Sequence, residues 1–195
     1  MQSIPSTPVT PVITDQQLAD WLRLDDLTDP LITPLATAAT AGVIEYLNRN
    51  LITREFTLTA QDWPTAGTPT AGMSPSLGGF VLNILLPYSN SMADVANAVT
   101  AVTVNGDAYT DYNLRGDEIV FDGFTSHDDD EPAFVVVYDA GYSDIDAVPE
   151  AIVTAVTMVA AYMYEHRGMC TAADAINNTG AAMLLTPYRR AEMFI

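Results

Sequence analysis

The chain has 195 residues, of which 49% are hydrophobic and only 16% charged, a globular composition that excludes a largely disordered protein. Acidic residues number 25 against seven basic residues, all of them arginine, and the formal net charge is −18. This balance excludes a general nucleic-acid-binding protein, since affinity for phosphate comes from clustered lysine and arginine. The lack of lysine also excludes enzymes that depend on a P-loop or Schiff-base lysine.

Cysteine content and hydropathy predict a soluble protein made in a reducing cytoplasm. Cys170 is the single cysteine, so the chain has no internal disulfide framework and no cysteine zinc site. Met1 to Thr14 carries no basic side chain and no long apolar run, unlike a secretory signal. The longest apolar stretch, Ala151 to Tyr164, is shorter than the roughly 20 residues that span a bilayer.

The amino-terminal quarter of the chain predicts an arm followed by two helices. Residues 1–14 are proline-rich and predict an extended N-terminal arm, either flexible or laid along a neighbour. Thr14 and Gln17 have the spacing of a capping box and begin the first helix. Asp29 as N-cap begins a second helix that runs to about Asn50. Small residues on this second helix predict the close approach of another element (Ala39, Ala41 and Gly42).

Residues 51–140 predict a β insertion between helices. Apolar residues alternate with polar ones from Ile52 to Leu58, and the Asn105-Gly106-Asp107 sequence is typical of a tight hairpin turn. Residues 61–79 are rich in threonine, proline and glycine and predict a long excursion. Further strands are expected at the remaining apolar runs (Phe80–Leu86, Val99–Val104, Ala108–Tyr112, Glu118–Phe121 and Ala133–Tyr138).

The carboxyl-terminal part predicts one long helix, a polar link and a tail. The helix begins at Pro149, ends at Gly168 and is apolar nearly all round, which indicates burial on more than one side. The fold class is therefore α+β: a small helical core of two N-terminal helices and one long C-terminal helix, with a β-strand and hairpin insertion and extended terminal arms. We expect a single domain over residues 15–180, with helices at 15–50 and 149–168, and a docking tail at 181–195.

Catalytic and metal-binding constellations are not apparent in the sequence, so we predict no catalytic residue, no cofactor and no metal. Ser126-His127-Asp128 contains the residue types of a catalytic triad, but adjacent residues cannot adopt triad geometry. His166 is interpreted as a cation at a helix end. The acidic run 128–131 lacks the glycine and the ligand spacing of an EF-hand and is read as a solvated turn, with Ca²⁺ binding left open. Asp25-Asp26 is read as a charged turn.

The tail carries the candidate contact residues of the chain. Two of the seven arginines lie close to apolar residues at the end of an otherwise acidic protein. Such a free end suits docking onto an acidic partner, including another copy of this chain. The candidate contacts are Tyr188, Arg189, Arg190, Phe194 and Ile195. Deleting residues 188–195 is expected to abolish docking and to leave the fold intact.

The order of these segments resembles the head–tail connector family, also called the adaptor or head-completion family, of tailed bacteriophages and related gene transfer agents. An acidic helix pair, a β insertion, a Val-Pro-Glu helix start and a Pro-Tyr-Arg end occur in the family's order from about Asp15 onward. The matching segments are Leu85–Tyr88, Val99–Val104, Val135–Tyr138, Ala140–Tyr142, Val148–Ile152, Tyr164–Arg167 and Leu184–Arg189. The proline-rich arm, the 61–79 excursion and the lack of lysine depart from the family's pattern.

The resemblance implies a structural subunit of the virion neck. Copies would form a ring, typically of twelve, below the portal protein. The ring would extend the channel for the genomic DNA, which passes without specific binding, and present a platform for the stopper or tail-completion protein. No membrane is involved.

Two other functions remain open at this point. A virion surface or carbohydrate-binding β module would use the aromatic residues of the β region, Trp63, Tyr109 and Tyr112, as exposed contacts. The long apolar helix argues against it, because such modules are usually all-β. An acidic hydrolase would need a pair of carboxylates, and nothing in the sequence singles out one pair.

Overall fold

A computed structural model describes residues 1–24, 29–63, 71–76, 79–88, 99–116, 118–121, 131–166 and 170–190. The helices are α1 (Asp15–Leu22), α2 (Ile32–Leu47), α3 (Glu150–Glu165), α4 (Ala172–Thr179) and α5 (Ala181–Leu185), followed by a 3-10 helix at Thr186–Tyr188. The strands are β1 (Gln2–Pro5), β2 (Arg54–Ala60), β3 (Ala71–Ser76), β4 (Gly79–Leu85), β5 (Val99–Val104), β6 (Asp107–Ala108), β7 (Tyr112–Arg115), β8 (Glu118–Phe121) and β9 (Phe134–Ala140). The predicted α+β fold class is confirmed.

Contacts within the chain divide it into two compact units. The helical unit contains Pro8–Ile52 and Tyr142–Arg190, and the β unit contains Met1–Thr7 and Thr53–Gly141. The β unit is thus an insertion between α2 and α3, with a short contribution from the amino terminus.

The β unit is built from two antiparallel sheets. The first has the strand order β1-β2-β9-β5-β6 and the second has the order β3-β4-β8-β7. Alternate residues of β9 are buried, from Phe134 to Ala140, as a strand with one face on a core requires. β3 lies within the predicted 61–79 excursion and pairs with β4. The proline and glycine content of this segment does not predict a strand.

The Asn105-Gly106 turn joins β5 to β6 as predicted. Asn105 and Gly106 have φ of 51° and 79°. Two consecutive positive φ values are those of a type I′ turn, whose twist matches that of the flanking strands, and asparagine and glycine tolerate them well. The hairpin prediction is confirmed, although the returning strand β6 is only two residues long.

Aromatic side chains fill the core of the β unit. Phe56 and Tyr138 are fully buried and stack with their ring centroids 5.7 Å apart. The Tyr138 hydroxyl donates a hydrogen bond to the Pro87 carbonyl at 2.8 Å, which satisfies its polar end. A carbohydrate-binding module would require exposed aromatic side chains at Trp63, Tyr109 and Tyr112. All three are instead half-buried and pack against this core.

The amino-terminal arm lies on its own chain. Residues 2–5 form β1, which pairs with the edge of β2, with Ser3 opposite Leu58. Farther along, Val12 and Ile13 are buried in the helical unit. The arm is extended as predicted, but in the structure its neighbour is β2 of the same chain.

Helix α3 is the central element of the helical unit. It contacts α1, α2, α4 and α5, and its residues are buried or half-buried except at its two glutamate ends. The prediction that this helix is buried on more than one side is therefore confirmed. Tyr164 donates a hydrogen bond to Asp29 at 2.8 Å, so the end of α3 lies beside the start of α2 and the two helices are antiparallel.

Gly42 allows α4 to approach α2 closely. A Cβ atom at this position would overlap the Cβ of Ala172, the first residue of α4. The close approach that the small residues of α2 predict is therefore observed, and the approaching element is α4.

The ends of the helices match the sequence signals to different degrees. The Thr14–Gln17 capping box is present, with the Thr14 amide donating to the Gln17 side chain at 2.8 Å. α2 begins at Ile32, three residues after Asp29, and the Asp29 carboxylate instead accepts a bond from the Leu31 amide.

The predicted polar link and extended tail are largely helical. A second capping box, between Thr171 and Asp174, begins α4, and Gly180 in the left-handed region separates α4 from α5. These elements replace the link expected after residue 168 and the first half of the docking tail. Burial of Ala175, Ile176 and Leu185 explains why these short segments are ordered as helices.

Candidate interaction surface

The carboxyl-terminal segment ends against the last turn of α2. After the 3-10 helix, the Arg190 amide donates a hydrogen bond to the Leu47 carbonyl at 2.9 Å. The last carbonyls of a helix have no partner within the helix, so an amide from another segment stabilises that end. Arg190 itself is only 8% exposed.

Helix α2 ends in a left-handed turn, which leaves the Leu47 carbonyl accessible to the Arg190 amide. Asn48 has a φ of 51°, and the Arg49 amide donates back to the Ile44 carbonyl. Asparagine is a common residue at this position because it tolerates the left-handed region. Arginine side chains near such a helix end also interact favourably with the partial negative charge of its carbonyls.

Arg189 is exposed and is held by an aromatic ring. Its guanidinium lies over the ring of Tyr46, 5.1 Å from the centroid. Tyr46 is half-buried in the last turn of α2. The ring restricts the arginine side chain and leaves its charge accessible to solvent, which makes Arg189 a preorganised cation on the surface.

The structure brings three of the five candidate contact residues together. Tyr188 is half-buried, Arg189 is exposed and Arg190 is buried, and the two arginines contact the last turn of α2. Phe194 and Ile195 lie outside the described residues. Deleting residues 188–195 would also remove the Arg190 amide that bonds to the end of α2, so we expect this deletion to lower stability.

The two most exposed large apolar side chains among the described residues of the helical unit were not predicted from the sequence. Met183 of α5 is 82% exposed, and Trp21 in the last turn of α1 is 54% exposed. Leu18, Trp21 and Leu22 have the spacing of one helical face, yet Leu18 is buried and Trp21 is exposed. Helical spacing groups these residues on a face but cannot show where the covering element ends.

Trp21 lines an open groove of about 410 Å³ between α1 and α3. Asp20 and Glu150 contribute carboxylates, and the Asp20 carboxylate accepts a hydrogen bond from Gln16 at 2.6 Å. Both acidic residues are exposed. The remaining lining residues are Gln17, Val153, Thr154 and Thr157. The groove therefore combines an aromatic surface with negative charge.

Exposed carboxylates are spread over the helical unit. They belong to Asp20, Glu45, Asp144, Asp146, Glu150, Glu165 and Asp174. Hydrogen bonds from the Thr171 amide and hydroxyl lower the pKa of Asp174 below its usual range, because they stabilise the charged form. That carboxylate is part of the cap of α4.

The residues considered for catalysis or metal binding lie mostly outside the described part of the chain. This applies to His127, to Asp25-Asp26 and to residues 128–130 of the acidic run. Among the described residues, no group of three or more His, Cys, Asp or Glu side chains is placed to hold a metal ion. His166 caps the end of α3, where its ring stacks on Tyr162 with centroids 3.9 Å apart.

Within the described ranges, none of the helices combines the length and hydropathy needed to cross a membrane.

Comparison with known proteins relates the fold to gene transfer agent (GTA) particles. No family model and no curated protein matches the chain. Among solved structures, a chain in the neck of an empty GTA particle, computed with C6 symmetry, aligns with a TM-score of 0.69 at 22% identity. A chain in the neck of the native GTA particle, computed with C12 symmetry, gives 0.64 at 22% identity. A chain in the virion of the native particle gives 0.63 at 18% identity.

Each of these alignments covers 98% of this chain and 96% of the other chain. The likeness therefore includes the helical elements as well as the β insertion. The resemblance stated from the sequence is confirmed at the level of the fold: this chain has the fold of proteins found in gene transfer agent necks.

Proposed function

We propose that this chain is a structural head–tail connector, the adaptor subunit of a tailed phage or phage-like particle. The observation that carries this proposal is the fold shared with GTA neck chains over nearly the whole length of both proteins. The subunit is made in the host cytoplasm and resides in the virion neck. It forms a ring of twelve copies below the portal, extends the DNA channel and provides the platform for the stopper or tail protein.

Electrostatics supports the channel role. Each copy carries a formal charge of −18, so a ring of copies presents a strongly negative wall to DNA. Phosphates are repelled by such a wall, and DNA slides past without specific binding. We assign no enzymatic role to the chain.

The same charge has a consequence for assembly. Copies of an acidic chain repel one another within a distance of roughly 8 Å at physiological salt. Ring closure is therefore templated by the portal, and a few localised contacts join neighbouring subunits. Exposed Arg189 beside half-buried Tyr188 is the candidate for such a contact in the described part of the tail.

The alternative function as a carbohydrate-binding module has one feature in its favour. Tyr109 and Tyr112 line an uncharged groove of about 650 Å³ on the β unit, with Asn113, Leu114 and several threonines. Both tyrosines also pack against the core, which accounts for them without a ligand. We therefore place this function second.

Electron microscopy of the purified protein mixed with the portal of its particle separates the two functions. A ring coaxial with the portal is the expected result. Binding of the chain to a glycan array in the absence of any portal-associated ring would instead support the carbohydrate-binding module.

A further inference from the structure

The groove between α1 and α3 has the properties of a docking site for a cation. Trp21 is more than half exposed at the groove, which leaves a large aromatic surface in water. The carboxylates of Asp20 and Glu150 line the same groove. An aromatic ring beside two carboxylates attracts an arginine through both cation–π and ionic interactions.

The chain itself offers few arginines that fit this role. Arg49 and Arg54 are half-buried and Arg190 is buried. Of the exposed arginines within the described ranges, Arg115 on β7 lies opposite Glu118 on β8, so an acidic neighbour already faces it.

Arg23 is also a poor candidate, because it lies two residues after Trp21 at the end of α1. Its approach to the groove of a second copy would bring two identical acidic surfaces face to face, with Asp20 and Glu150 on both sides. Like charges at an interface oppose such an arrangement.

Arg189 meets the requirements. It is exposed, its guanidinium is held on the Tyr46 ring, and it follows a segment with a strongly exposed Met183. From residue 183 to residue 189 the helical and 3-10 rises give roughly 10 Å. The apolar side chain of Met183 and the cation of Arg189 are therefore close enough together to enter the same small groove. Methionine sulfur also makes favourable contacts with aromatic rings such as that of Trp21.

We propose that residues 183–189 of one copy dock into the α1–α3 groove of the next copy, with Arg189 facing Trp21, Asp20 and Glu150. This interface joins two different surfaces of the same chain, an arrangement that closes into a ring when the rotation between copies permits it. The inference rests on the proposed ring and specifies which residues join its subunits.

Mixing two charge-reversal variants tests this interface directly. Glu150→Arg creates a groove that repels Arg189, and Arg189→Glu creates a segment that the wild-type groove repels. Each variant alone is expected to lower the fraction of chain found in portal-bound rings by about tenfold, as a charge clash at an interface does. Mixed in equal amounts, the two variants are expected to recover the rings, because a ring of alternating copies has opposite charges at every contact.

Recovery on mixing reports a contact between copies. If a variant is defective only because its residue 189 no longer contacts the Tyr46 ring, the defect lies within one chain. A second chain cannot repair such a defect. Glu165→Arg and Arg115→Glu make the same changes of charge elsewhere and serve as controls; mixing them is expected to have no effect beyond that of each alone.

The outcomes separate the interface from the function. If the wild-type chain forms rings but the mixed variants remain as defective as each variant alone, the proposed interface is overturned and the connector function stands. A wild-type chain that forms no ring on the portal would overturn the connector function and the interface with it.

Discussion

The guanidinium of Arg189 lies over the ring of Tyr46, 5.1 Å from its centroid, so the tail of this chain is anchored to the end of its second helix. The next residue, Arg190, adds the amide bond to Leu47. A segment that the sequence suggests is free is therefore part of the helical unit up to residue 190.

The Tyr46–Arg189 contact predicts a graded effect of substitution. Tyr46→Ala is expected to lower the free energy of unfolding of the helical unit by about 1 kcal/mol, the usual size of a surface cation–π contact with some lost packing. Tyr46→Phe keeps the ring and is expected to be close to wild type. Urea unfolding measured by Trp21 fluorescence, with Trp63→Phe to silence the second tryptophan, isolates this unit. Equal losses for the two variants would contradict the role of the ring.

The contact between Gly42 and Ala172 predicts a sharper effect. Gly42→Ala is expected to lower the free energy of unfolding by about 1–3 kcal/mol, because the added methyl group overlaps Ala172 and forces α4 away from α2. Alanine otherwise favours a helix over glycine, so a loss of stability here can only come from packing. The Gly42→Ala, Ala172→Gly double variant restores the space, and its stability should recover much of the difference.

The cap of α4 predicts a dependence on pH. The pKa of Asp174 is lowered in the folded state, so its charged form stabilises the fold above the unfolded pKa, near 4, and this contribution is lost as pH falls through the folded pKa. Asp174→Asn is expected to be less stable than wild type at neutral pH and to approach it in strong acid. Thermal unfolding between pH 2 and 7 measures the difference. Asp146→Asn, an exposed change outside any helix, is the matched control; a pH-independent difference for Asp174→Asn would refute the cap.

Two truncations test the bond between the Arg190 amide and the Leu47 carbonyl. Removal of residues 188–195 takes away the Arg190 amide and leaves the Leu47 carbonyl without that partner, so we expect a loss of about 1–3 kcal/mol in the free energy of unfolding. Removal of residues 191–195 alone keeps that bond and serves as the matched control. Similar losses for both truncations would show that the bond to Leu47 contributes little.

Assembly is expected to depend on the portal at low ionic strength. At about 0.01 M salt the screening length is roughly 30 Å, so repulsion between copies at −18 each extends across a subunit interface. Sedimentation should then find no closed rings of the purified chain, and addition of the portal should produce them. Closed rings at low salt without the portal would contradict templated assembly.

Much of the fold was predictable because its signals are local. Thr14 and Gln17 begin α1 through contacts three residues apart, and Asn105-Gly106 forms its turn from backbone preferences alone. The alternating burial of β9 also follows from its sequence pattern. The Thr171–Asp174 spacing is a signal of the same kind, and it could have revealed α4, but the polar composition of the segment favoured a link.

The candidate site was less predictable because it depends on residues far apart in sequence. Arg190 is buried through its contact with Leu47, and nothing near residue 190 indicates this partner. Trp21 is exposed although it shares the helical spacing of buried Leu18, and periodicity alone cannot show that difference. The sequence predicts Tyr188 and Arg189 as contact residues, but only the structure shows that Arg189 lies over Tyr46 of α2.

The β insertion leaves and rejoins the helical unit at neighbouring points. The Tyr142 amide donates to the Leu51 carbonyl at 3.0 Å, and Ile52 pairs with Tyr142. The helical unit is therefore closed across the base of the insertion, and a lengthened or shortened insertion leaves this closure in place. We therefore expect changes of length in the β insertion to be tolerated by the helical unit.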